Sequence, residues 1–141
     1  MRKTTYGAAF LAAPLFSFIY AFSFQNMHSN IFWLFEDLNS FFFLIVFYPI
    51  IEELTFRGLI QEYISYKTKQ KYFFLSLSFS NIITSFLFVS IHFFYHTPLW
   101  AFLVFFPSLV FGYFKDQTSS VLPSIALHMF YNLCFFSFVT H

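Results

Sequence analysis

Charge is scarce in this sequence. Of its 141 residues only 9% are charged, while 59% are hydrophobic and 28% aromatic. A soluble domain needs polar side chains to cover its surface, and this chain does not carry enough of them. The formal net charge is +1, with no basic excess to attract a polyanion, so nucleic acid is not an expected partner. Cysteine is nearly missing: Cys134 stands alone in an apolar run, which excludes an intrachain disulfide and a multi-cysteine metal site and leaves packing as its role. Glycine is rare as well, and none of Gly7, Gly58 and Gly112 opens the Gly-x-Ser-x-Gly turn of a serine hydrolase. The aspartates are only two, Asp37 and Asp116, and both read as loop residues, so the paired membrane aspartates of an aspartyl protease are missing. His92 is followed by Phe93, so the His-Glu-x-x-His zinc signature is absent too. No internal repeat is visible, which weighs against a transporter built from inverted halves.

Long apolar runs are abundant. Stretches able to cross roughly 30 Å of hydrocarbon fall near 6–24, 40–61, 73–94, 98–114 and 121–139. The expected fold is therefore all-α, a polytopic membrane bundle of about five transmembrane helices. The connections between runs are short, so 1–141 reads as a single domain with a motif-bearing core at about 40–139. Met1-Arg2-Lys3 ahead of the first run, with Ala21-Phe22-Ser23 near its end, is the pattern of a signal peptide. The run is longer and more aromatic than a signal core, and the sequence favours an uncleaved first helix.

The cations segregate. Arg2 and Lys3 precede the first run, Arg57, Lys67, Lys69 and Lys71 lie at or after the end of the second, and Lys115 follows the fourth. The intervening connections, with Glu36 and Asp37 or Tyr95-His96-Thr97, contain no Lys or Arg. The positive-inside rule then predicts a cytoplasmic N-terminus and an outer C-terminus.

Polar residues inside the runs need a reason, because a charge at mid-membrane costs about 2.5–3.5 kcal/mol to insert. Three runs carry them: Glu52, Glu53 and Arg57 in the second, His92 in the third, His128 and Asn132 in the fifth. Glu53 and Arg57 are four residues apart on one helical face and read as a structural ion pair supporting the site. Glu52 is rotated by about 100° from Glu53 and has no basic residue three or four positions away. It is the candidate reactive carboxylate. His128 and Asn132, again four apart, point at one spot. A lone membrane histidine is often a packing residue and a lone asparagine often joins helices, so the combination carries the argument. Phe88, one turn before His92, reads as packing, and His96 as a loop residue ahead of Thr97-Pro98. His28 and His141 have no implied role.

A carboxylate, two imidazoles and an amide that converge can hydrolyse an acyl bond. The carboxylate and a histidine take a proton from water, and further donors hold the oxyanion. No cofactor beyond the catalytic water is needed. A metal held by Glu52, His92 and His128 is the second mechanism this set allows. Counting 1.5 Å per residue puts Glu52 and Asn132 near mid-membrane and His92 towards the outer end of its span.

In order, Glu52-Glu53-x-x-x-Arg57, Phe88-x-x-x-His92 and His128-x-x-x-Asn132 resemble the three motifs of the CAAX protease and bacteriocin-processing family. All three match without substitution. The resemblance implies a glutamic-type intramembrane endopeptidase in which Glu52 and His92 activate water while His128 and Asn132 stabilise the oxyanion. It also implies a membrane-anchored protein or peptide as substrate and the lipid bilayer as surroundings, the inner membrane of a bacterium. Larger members have seven or eight spans rather than five, and prenylated substrates are not implied. Small bacterial members are more similar, some of them trimming C-terminal sorting tails and some associated with bacteriocin immunity. Two other functions fit the same residues: a non-catalytic immunity or partner-binding protein, and a proton or ion carrier.

Overall fold

A computed structural model describes residues 3–23, 36–73 and 76–138. Among the described residues the chain is all-helical, with one isolated antiparallel bridge between Tyr72 and Ser78. Helix α1 is Lys3–Ser23. Helix α2 runs over 38–68 without a break and includes two stretches of π-type turns, Phe42–Phe47 and Leu54–Gln61. Helix α3 is Phe79–His92, α4 is Pro98–Thr118 with a turn at Val104, and α5 is Leu122–Phe138. These are the five helical regions expected from hydropathy.

Local chemistry sets their ends. Asp37 caps α2, its Oδ1 accepting from the Ser40 amide at 3.0 Å and its Oδ2 from the Ser40 hydroxyl at 2.6 Å. Ser78 caps α3 by accepting from the Asn81 amide at 3.0 Å. Lys69 and Ser119 terminate α2 and α4 in the left-handed region, at φ 51° and 53°. Thr97 and Pro98 start α4, with proline where its missing amide costs nothing.

Several boundaries differ from the sequence reading, and helix α2 runs on to Thr68 rather than ending near 61. The third helix begins at Phe79, not 73: Ser78 pairs with Tyr72 in the bridge and caps the helix. At 14 residues it is about 21 Å long, short for a membrane core. The fourth helix continues to Thr118, so Asp116 is a helical residue rather than a loop residue. By length and composition one helix, Pro98–Thr118, is long and apolar enough to cross a membrane, and Thr5–Tyr20, Phe79–His92 and Leu122–Phe138 are shorter apolar helices.

Packing divides the chain into two compact units, one of 1–50 with 126–141 and the other of 51–125. In the first, aromatic side chains of α1 meet those of α5: Phe10 against Phe130 edge to face at 5.1 Å, and Tyr20 against Phe135 at 5.3 Å. The Tyr131 hydroxyl donates to the Ala9 carbonyl at 3.0 Å. In the second unit, α3 packs on both α2 and α4. Gly112 lets α3 and α4 approach closely, since a Cβ there would overlap the Asn81 side-chain amide. That amide donates to the Leu109 carbonyl at 2.9 Å. At one end of this unit Lys115 of α4 contacts Glu62 of α2. Lys115 thus lies beside the turn of α2 that precedes Lys67. Arg2 lies outside the described residues, as do His28 and His141.

Candidate active site

Four of the six residues singled out by sequence lie in the 51–125 unit. Glu53 and Arg57 are both fully buried and paired, Arg57 Nε donating to Glu53 Oε2 at 3.1 Å. The rest of the guanidinium is also used: Nη2 donates to the Ser108 carbonyl at 3.0 Å and to the Ser108 hydroxyl at 2.7 Å, and Nη1 reaches Gln61 Oε1 at 3.4 Å. Gln61, one further turn along, donates to the Gly112 carbonyl at 3.0 Å and to Asp116 Oδ1 at 2.9 Å. Asp116 Oδ2 accepts from the Ser78 hydroxyl at 2.5 Å. Positions 53, 57 and 61 thus form one polar face of α2, spaced by four residues, which bonds to α4 and, through Asp116, to the start of α3. The sequence supplied the first two members as a pair. Gln61, Ser108 and Asp116 were missed, although the four-residue continuation from Arg57 to Gln61 was there to be read.

Such a network costs much to bury and much more to break. Removing one partner of a buried ion pair typically costs 3–5 kcal/mol, because it strands the other charge. Here the pair also fixes its neighbours. The Arg57 guanidinium lies over the Phe88 ring, 5.6 Å from its centroid, and Phe56 meets the same ring edge-on at 5.0 Å. Phe88 is 1% exposed. It is packing, as expected, but packing that touches both Arg57 and His92.

His92 ends α3. Its ring lies 4.6 Å from that of Phe88, and its Nδ1 is 2.9 Å from the Phe88 carbonyl oxygen. A carbonyl can only accept, so Nδ1 carries the hydrogen of that bond. On another side His92 stacks with His96 at 5.8 Å and with Trp100 at 5.7 Å, and His96 and Trp100 are 4.0 Å apart. His96 is indeed in the connection between α3 and α4, as expected, yet it is built into the aromatic cluster around His92 together with Trp100. Neither was singled out by sequence, because the contact arises from the turn at 93–96, not from helical spacing. Loss of solvation holds the His96 imidazole below its ordinary protonation range.

Glu52 is half-buried, in the regular helical segment Tyr48–Glu53. Its neighbour Glu53 is the carboxylate that neutralises Arg57.

His128 and Asn132 belong to the other unit. His128 is 6% exposed, and Asn132, half-buried one turn later on α5, donates from Nδ2 to the Leu44 carbonyl of α2 at 2.9 Å. That bond is the helix-joining role open to any membrane asparagine. Its amide has a second hydrogen. Cys134 is half-buried, in keeping with packing. Among the described residues no group of three His, Cys, Asp or Glu side chains is arranged to hold a metal ion.

Comparison with known proteins adds one match. The family model described as type II CAAX prenyl endopeptidase Rce1-like aligns with residues 32–134, a stretch that contains all three motifs. No curated protein and no solved structure matches the chain. Proteins of this family are membrane-integral proteases, hydrolases whose substrates are membrane-associated proteins or peptides. With well over half of its length matched, this chain belongs to the Rce1-like family of type II CAAX prenyl endopeptidases.

Proposed function

We propose that this chain is a glutamate-dependent intramembrane endopeptidase that cleaves a membrane-anchored protein or peptide with an activated water. Glu52 takes the proton from water, and His92 shares that work through Nε2. His128 and the second amide hydrogen of Asn132 hold the oxyanion that forms on the attacked carbonyl. Glu53 and Arg57 support the site without touching the reacting atoms. All five helices cross the membrane, with the N-terminus cytoplasmic, and the substrate is a C-terminal sorting or anchor tail.

The observation that carries this reading is the anchoring of His92. Its Nδ1 donates to the Phe88 carbonyl at 2.9 Å, which fixes the ring on α3 and directs its Nε2 edge away from that bond. The pairing of Glu53 with Arg57, both fully buried, supports it further, because it places the half-buried Glu52 in a different environment from its neighbour.

The test is cleavage of co-expressed membrane peptides by purified protein in detergent, comparing wild type with Glu52→Gln, each with and without a strong chelator. Loss on mutation alone is the expected result. Loss on chelation would move the chemistry to a metal, for which Glu52, His92 and His128 are the ligands to test. Cell protection or partner binding that survives Glu52→Gln, with no cleavage by the wild type, would replace the enzyme with a partner-binding protein.

A further inference from the structure

Helix α2 is irregular on its approach to Glu52. Over Phe42–Phe47 its amides reach back five residues rather than four, and the Tyr48 amide accordingly donates to the Phe43 carbonyl. Pro49 comes next and has no amide hydrogen. Its ring would also press on the Ile45 carbonyl in a regular α-turn, and the wider turn relieves that contact. The Leu44 carbonyl loses its partner to both features. Tyr48, its α-type donor, is bonded to Phe43, and Pro49, its π-type donor, has no hydrogen to give. An unpaired carbonyl in an apolar interior is strongly disfavoured, and Asn132 Nδ2 meets this one at 2.9 Å.

We propose that Asn132 is a positioning residue for Glu52: it stands in for the amide that Pro49 lacks and so holds the widened turn that sets the direction of the catalytic carboxylate. The inference rests on Glu52 being that carboxylate. Tyr48–Glu53 is regular α-helix, so the azimuth of Glu52 follows from how the turn before it closes. One residue more or fewer in that turn rotates every later side chain by about 100°. Pro49, fully buried, keeps the turn open, and Asn132 completes its hydrogen bonding.

Four proteins test this in detergent: wild type, Pro49→Ala, Asn132→Ala and the double variant. Asn132→Ala is expected to lower the unfolding midpoint of the wild type by about 2–8 °C. In the Pro49→Ala background the same change is expected to lower it by less than half as much, because the alanine brings an amide of its own. Equal losses in the two backgrounds overturn the anchor. Should Asn132→Ala alone yield no folded protein, recovery of folded double variant supports the anchor, and failure to recover it while Pro49→Ala folds overturns it. The positioning role is read in turnover: Pro49→Ala is expected to stay folded and to lose about tenfold or more in kcat with KM within about twofold. Wild-type kcat in folded Pro49→Ala overturns that role. Because melting is read without proteolysis, a wild type that cleaves no peptide counts against the proposed activity, while the anchor stands or falls on the melting cycle.

Discussion

The Arg57 guanidinium lies over the ring of Phe88 with its carbon 5.6 Å from the centroid, so the buried ion pair of α2 is in direct contact with the residue that holds His92. The proposed support and the proposed base are thereby joined through one residue. Glu53 neutralises Arg57, Arg57 and Phe56 pin Phe88, and Phe88 orients His92 by its ring and by its carbonyl.

Breaking the pair should therefore cost stability first. Arg57→Leu leaves Glu53 buried without its cation, and a loss of about 3–5 kcal/mol is expected. Glu53→Gln keeps a hydrogen-bond acceptor towards Arg57 Nε and should cost less. Thermal melts of both variants in detergent check this, and a Glu53→Gln variant as stable as the wild type would show that Glu53 is not the partner on which Arg57 depends.

Phe88 offers a separation of packing from orientation. Phe88→Leu keeps the carbonyl that accepts from His92 Nδ1 but removes the ring beneath Arg57 and beside His92. A core loss of about 1–3 kcal/mol is expected, with a fall in kcat larger than any change in KM. Unchanged turnover in a folded variant would show that the ring does not position the histidine.

Gly112→Ala tests the close approach of α3 and α4. The added methyl overlaps the Asn81 amide, and a penalty of about 1–3 kcal/mol is expected. Asn81→Ala in the same chain makes room while giving up its own bond to Leu109, so the double variant should be more stable than the sum of the two losses implies. Strict additivity in the melting temperatures would count against the contact.

The cluster of His96 with Trp100 gives a pH signal. His96 is held below its ordinary value of 6.5 by loss of solvation, so the folded chain favours the neutral ring. The sign follows: stability contributed by neutral His96 is present above 6.5 and is lost as pH falls through the lower, folded value. Trp100 fluorescence in a Trp33→Phe background should change with a midpoint below 6.5, and His96→Gln should remove the transition. A midpoint at or above 6.5 in the His96 protein would contradict the partial loss of solvation at this ring.

What the sequence by itself determined is the class of molecule, its helices and its motifs. Scarce charge and five apolar runs are statements about transfer from water, and they hold whatever the tertiary arrangement. Four-residue spacing is a property of the helix alone, so the Glu53–Arg57 pair was legible before any packing was known, and it is observed at 3.1 Å. The family, too, was carried by short ordered motifs, and the match over 32–134 bears it out. Tertiary structure decided the rest. The third helix starts later than its hydropathy suggests, because Ser78 caps it and pairs with Tyr72. Asp116 proved helical and bonded to Gln61, a partner 55 positions away that no local pattern could indicate. Asn132 read as a donor at a catalytic site, and which acceptor it meets depended on an irregular turn in another helix. Local periodicity fixes which face a side chain occupies, but its partner is set by chain closure over long separations, and only packing contains that information.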